Sequence, residues 1–398
     1  MSTPPDPAAT AGAPSGRARL QRVLRLQRRY ATRDALVGAV LCLAVVVGVS
    51  PPTGATNPGA PSVEGAAFSA AMVGDLMFAR HVEEVAAVRG YDALLEPARP
   101  YLDADYVTGN LEQVVSERDD LPEARKLIHL RGGPEPLGPL VDAGFTAVTL
   151  ANNHTMDHGI PGLTDTLAAL DTAGLAHVGA GLDLDAASEV LYQDLGGLRV
   201  ATLSFTDAYV EGFVARAFQG GVMGSDETFI VPAIQRARSE ADLVVVQFHW
   251  GVEYDFSPDR RQRELAELAA AAGADLIVGH HPHTLQPVER LGDAVVFFSL
   301  GNFVFDQGWS RTRETAVARY HLRPDGVAEI SLHPFLIREA TPRPLSGPTG
   351  WYRRLRIHLQ LRGEGLDWRR DADRLVAEVD HRHVLEERAS RERAPDDD

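Results

Sequence analysis

ADLIVGHHPH, residues 274–283, sets three histidines in four positions directly behind a short apolar run. Leu276, Ile277 and Val278 read as a buried strand. Imidazoles crowded at a strand end need something to bind, and a metal is the first candidate; an exposed histidine loop is the alternative. Pro282 separates His281 from His283 and leaves the two rings little freedom.

The same arrangement recurs along the chain. FSAAMV (68–73), YVTG (106–109), FTAVTL (145–150), LRVATLSF (198–205), LVVVQF (243–248) and AVVFFSL (294–300) are continuous apolar runs. Helix-like segments alternate with them: HVEEVAAV (81–88), LTDTLAALDTAG (163–174) and RQRELAELAAAAG (261–273). That alternation predicts an α/β fold with strands buried between helix layers. Behind the runs stand Asp75, then Asn110 and Glu112, then Asn152, Asn153 and His154, then His249, then His280, His281 and His283, and last Asn302. The C-terminal edge of an open α/β sheet is where ligands bind.

Each motif alone has a plain structural reading. Asp75 in a βα turn reads as a cap, Asn153 as a turn residue, and His249 beside Trp250 as a packed imidazole. The conjunction of Asp, Glu, Asn and several His from separate strand ends suits a pair of divalent transition ions.

Composition narrows the chemistry. The chain has 398 residues, 44% hydrophobic and 24% charged, enough for one large domain or two ordinary ones. Its one cysteine, Cys42, excludes an internal disulfide framework and a cysteine-ligated cluster. Lys126 is the only lysine, and no GxxxxGK stretch exists, so a P-loop is absent. No GxSxG offers a rival nucleophile.

Charge is unevenly placed. Residues 1–34 carry seven arginines against Asp6 and Asp34, a formal +5, so a whole-chain charge of −16 leaves −21 on the remainder. An acidic body of this kind is no nucleic-acid scaffold. A polyanionic substrate would be repelled unless a metal or a local basic patch received it.

Five segments follow from these patterns: a basic stretch (1–34), an apolar run (35–50), a Pro/Gly/Ala-rich linker (51–66), the body (67–345) and a C-terminal extension (346–398). Ala35–Ser50 is uncharged and shorter than the ~20 residues of a comfortable membrane span, which fits a signal anchor or a cleaved signal peptide. The preceding arginines place the N-terminus inside and the body outside. The expected location is therefore the cell membrane, single pass with an extracytoplasmic body, or secretion after cleavage. The extension, with its arginines and the helix-like DADRLVAEVDHRHVLEERA, reads as peripheral.

GDLMFAR, GNLE, LANNHTMDHG, QFHWGVEY, GADLIVGHHPHTLQPVE and FFSLGNFVFDQ together resemble the CapA family of poly-γ-glutamate capsule synthesis proteins, related to calcineurin-like metallophosphoesterases. The resemblance spans about residues 67–340 in order. It implies a four-layer α/β/β/α sandwich of the metallophosphoesterase type, behind an N-terminal membrane segment. It also implies two divalent metals, Mn, Fe or Zn, as cofactors. Asp75 would bind the first metal with His283, Glu112 would bridge, and Asn153, His249 and His281 would bind the second. His154 would serve as the non-ligand catalytic histidine, oriented by Asp157. Asn110, Asn152, His280 and Asn302 would stand behind the ligands. The family pattern departs at one place: Met77 stands where the common D-x-H motif has a ligand histidine. The expected function is a membrane-tethered metallohydrolase of capsule or poly-γ-glutamate production, with the polymer or a synthase complex as partner. A non-catalytic, polymer-binding accessory subunit with structural metals is the competing expectation, and an amide hydrolase would use the same site.

Overall fold

The computed structural model describes residues 65–308, 311–345 and 347–393. The apolar run Ala35–Ser50 lies outside the described residues. Among those described, no helix is long and apolar enough to cross a membrane.

Two sheets carry the body. In the larger, ten-stranded sheet, Phe68–Leu76, Tyr106–Leu111, Ala147–Thr149 and Ala176–Val178 run parallel in that order. On the other side of Phe68–Leu76 the antiparallel strands Glu314–Leu322 and Val327–Arg338 continue the sheet. The smaller sheet has six strands. Leu198–Thr206, Leu243–His249, Leu276–His280 and Ala294–Phe297 are parallel, with antiparallel Leu191–Leu195 and Val288–Leu291 at its two edges.

The apolar runs become strands because both faces are covered: every residue of Leu243–His249 and Leu276–His280 is buried. The strand period of two deals alternate side chains to different cores. Ala70 and Met72 share a core with Val200, Val245 and Val278 of the smaller sheet. Ala71 and Val73 join a second core with Val82, Leu94, Leu137 and Leu163. Val244, Val246 and Ile277 meet Ile230, Ile234, Leu265 and Ala269 in a third. Each such buried Val, Leu or Ile contributes about 1.5–3 kcal/mol.

Helix ends follow local chemistry. Arg260–Ala272 starts at a capping box, with the Asp259 side chain on the Gln262 amide and the Gln262 side chain returning to Asp259. It stops at Gly273 in the left-handed conformation, and Gly174 ends Gly159–Ala173 in the same way.

Two expectations change. AVVFFSL reads as one strand leading to Asn302, but only Ala294–Phe297 of it is strand, in the smaller sheet, and Asn302–Val304 beyond the run pairs with Phe68–Leu76 in the larger. Gly301, at φ 70°, lets the chain turn between them. The C-terminal extension is not peripheral. Arg374–Asp380, expected as helix, is a strand paired with Val327–Arg338, and Ile357, Leu361, Leu375, Val379 and Val384 enter the core between the sheets. Leu375 and Val379 face that core while Glu378 is exposed, an alternation that the open edge of Val327–Arg338 selects over helix. Of the helix-like stretch 371–389, only the part from Arg382 onward is helical, in Arg382–Arg391, while Gly347–Leu361 forms a separate helix of the extension.

Candidate metal centre

Parallel register lines the polar residues up. Asp75 stands opposite Asn110 on one side and Asn302 on the other, and His249 stands opposite His280. Two glycines permit the close approach. A Cβ on Gly74 would lie 1.8 Å from the Gly301 carbonyl oxygen, and one on Gly279 would lie 2.0 Å from that of Phe298. The glycine before Asp75 and the one before His280 are therefore steric requirements of the site, beyond any turn preference.

The candidate ligands and the residues expected behind them lie in one connected cluster. Two groups of ligand atoms form there, each within 4.8 Å of one another: Asp75, Glu112 and His283, and Glu112, His249 and His281. Glu112 is common to both. Its Oε1 lies 3.8 Å from His283 Nε2, 4.0 Å from His249 Nε2 and 4.0 Å from His154 Nε2. Asn153 Oδ1 is 3.0 Å from His249 Nε2, which brings the asparagine to the second group.

A polar network aims these side chains. Asn110 Nδ2 donates to Asp75 Oδ1 at 2.9 Å and to Glu112 Oε2 at 3.3 Å. Asn152 donates to Asn110 Oδ1 at 3.0 Å and to the Leu111 carbonyl at 2.8 Å, and its own Oδ1 accepts from the amides of His154 and Thr155. His283 Nδ1 donates to Asn302 Oδ1 at 2.8 Å, which leaves Nε2 turned toward Glu112. His280 Nε2 pairs with Gln247 Oε1 at 3.0 Å. His281 and His283 both sit at positive φ, 92° and 55°, strain of the kind that collects at functional sites.

Charge is unequally shared. Burial opposes ionisation of Asp75, but hydrogen bonds and charge from His280 and His283 outweigh it and hold the carboxyl well below its ordinary range. Burial, reinforced by the Asp75 charge, pushes Glu112 well above it. Burial also depresses His249 strongly and, with the neighbouring His283 charge, lowers His281 to about 3. His283 resists burial because Glu112 and Asp75 hold its proton, and it rises to about 9.

The residues present fit divalent cations. Glu112 Oε1 and His281 Nδ1 are buried without a hydrogen-bond partner. Each such orphan costs about 1–3 kcal/mol unless something binds it. The nitrogen and carboxylate donors are those that Mn, Fe and Zn accept. Met77 supplies nothing here: it packs in the core beneath the larger sheet, and its Sδ accepts from the Ala79 amide at 3.1 Å. The first group keeps Asp75, Glu112 and His283, while His280 Nδ1 lies 3.4 Å from Asp75 Oδ1.

His154 Nδ1 lies 2.7 Å from Asp157 Oδ2, and Asp157 is fully buried. Burial lowers the His154 pKa, against the opposing pull of Asp157. Lys126 reaches the same dyad, and Gln247 holds His280. The sequence reading did not place either at the site. The one signal for Lys126 is that it is the chain's only lysine.

Residues 69–307 match the family model described as bacterial capsule synthesis protein PGA_cap. The chain is 42% identical over 320 residues to the PGA biosynthesis protein CapA of Bacillus subtilis (strain 168), covering 80% of this chain and 84% of that one. It is 41% identical over 327 residues to the capsule biosynthesis protein CapA of Bacillus anthracis, covering 80% of each. Among solved structures, TT1561 of Thermus thermophilus is similar at a TM-score of 0.35 and 12% identity, over 63% of this chain and 93% of that one, a likeness too slight to bear on the site. The motif resemblance and the two long alignments agree: the chain belongs to the CapA-type family of bacterial capsule synthesis proteins.

Proposed function

We propose that this protein is a membrane-tethered, extracytoplasmic metallohydrolase of capsule or poly-γ-glutamate production, built as a four-layer α/β/β/α sandwich around a dinuclear centre. The observation that carries the proposal is the pair of buried donor groups sharing Glu112. The three successive cores support the layered reading. The basic flank of Ala35–Ser50 supports the tether.

Asp75 and His283 would hold one ion, Asn153, His249 and His281 the other, and Glu112 both. Such ions, when bound, polarise a phosphoryl or carbonyl oxygen and acidify water. They also neutralise an anionic substrate that the acidic body repels. The chain's own part is proton handling. His154 Nε2 faces Glu112 Oε1 at 4.0 Å, outside the donor groups, where it accepts a proton from water and passes it to the leaving oxygen or nitrogen. Asn110, Asn152 and Asn302 keep the donors oriented.

Elemental analysis of the purified full chain, beside turnover of a generic phosphodiester and monoester with added Mn or Fe, tests the reading. Two metals with hydrolysis abolished in His154→Ala support it; no metal after careful repletion refutes it. The accessory reading has one observation in its favour, since Met77 in the core leaves the first group a donor short. Metal without turnover on any phosphoester or γ-glutamyl amide would favour that reading.

A further inference from the structure

We infer that Lys126, the chain's only lysine, is a positioning residue that sets which ring nitrogen His154 presents to the centre. The inference rests on the reading of His154 as the proton-handling group.

Lys126 arrives from a loop outside the strand ends. Its Nζ donates to Asp157 Oδ1 at 2.6 Å and to the Asn153 carbonyl at 2.7 Å, and lies 3.1 Å from His154 Nδ1. Its side chain is 13% exposed and that of Asp157 is fully buried. Asp157 Oδ2 in turn accepts from the Leu130 amide at 2.7 Å and lies 2.7 Å from His154 Nδ1. The Ala124 amide donates to the Asp157 carbonyl at 2.9 Å, so the loop is pinned to the His154 turn on both sides of Lys126.

Hydrogen-bond polarity decides the tautomer. An ammonium only donates and an ionised carboxylate only accepts. With Lys126 as its counter-ion, Asp157 is an acceptor at both oxygens, and its Oδ2, at 2.7 Å against 3.1 Å for Lys126 Nζ, is the nearer partner of His154 Nδ1, so Nδ1 carries the proton and donates it to Asp157. Nε2 is then left as an unprotonated acceptor facing Glu112 Oε1. Lys126 has its two short bonds committed to Asn153 and Asp157, so it serves the turn and is not a receptor for substrate anions. Its bond to the Asn153 carbonyl also ties the same charge to the backbone of a candidate ligand.

Histidine-selective 15N labelling of the metal-free full chain, with the His154 resonances identified by loss in His154→Gln, reads which ring nitrogen holds the proton. The wild type is expected to show the proton on Nδ1, Lys126→Arg to keep it, and Lys126→Met to lose it. A wild-type proton on Nε2 overturns the inference without any variant, and so does an Nδ1 proton unchanged in Lys126→Met. The outcome is separable from the function itself. An Nδ1 proton that is lost in Lys126→Met, in a protein that hydrolyses nothing, supports the positioning role and sinks the catalytic reading; an Nε2 proton in an active hydrolase does the reverse.

Discussion

Glu112 Oε1 lies 3.8 Å from His283 Nε2 and has no hydrogen-bond partner of its own. A buried carboxylate oxygen facing imidazole nitrogens at that spacing leaves room for a cation between them. Glu112→Gln should keep the fold, since the shape is unchanged, and reduce bound metal from two equivalents to at most one. Metal stoichiometry by mass spectrometry checks this; two equivalents retained would remove Glu112 as the bridge.

His281→Ala should lower bound metal as well, but at the second position only. His281 shares a donor group with Glu112 and His249, while Asp75 and His283 stand in the other. Loss confined to one equivalent is the expected result, and unchanged stoichiometry would contradict the assignment.

His154→Ala should leave metal content intact and reduce turnover by roughly 10²–10⁴-fold, the usual contribution of a positioned general acid or base. Its ring stands outside both donor groups. Full activity in the variant would end its proposed role.

Lys126→Met should destabilise the protein by about 3–5 kcal/mol, because it leaves the fully buried Asp157 carboxylate without its counter-ion. Urea unfolding of the metal-free chain measures the loss. Lys126→Arg should recover most of it, and a difference under about 1 kcal/mol in Lys126→Met would show that water already compensates.

His283 gives the metal-free protein a defined pH dependence. Its pKa rises from 6.5 to about 9 on folding, with burial opposing and Glu112 and Asp75 favouring the proton. A raised value means the stabilisation is complete below pH 6.5 and disappears as pH climbs through about 9, at most about 3 kcal/mol in all. Binding to a cation needs the neutral ring. Metal uptake at pH 7 should therefore release a proton, and affinity should rise across the same window. Titration calorimetry in buffers of different ionisation enthalpy would detect the proton; none released would count against His283 as a ligand.

Deleting residues 1–50 should move the protein from the membrane fraction to the soluble one. A full-length chain found wholly in the cytosol would exclude the tether.

Much of the site was legible because continuous apolar runs mark strands and the residues behind them mark one edge of a sheet. Asp75, Glu112, Asn153, His249, His281 and His283 stand out through that local pattern, and the family resemblance assigned each its part. Glycine carried information too, although only the Gly74 to Gly301 and Gly279 to Phe298 contacts explain why a side chain is forbidden there. The CapA-type family was likewise legible from motif order alone.

What the sequence by itself determined is a set of candidate donors and their place at strand ends, since hydrophobic periodicity is a local property. The tertiary structure decided which donors face each other, because pairings across two sheets depend on contacts far apart in the chain. It turned Met77 into the core and sent Asn302 to the larger sheet. It made Arg374–Asp380 a strand by offering it an edge. It brought Lys126 to Asp157 from a loop with no period to read, where a buried carboxylate needed a cation and the chain had one lysine to supply it.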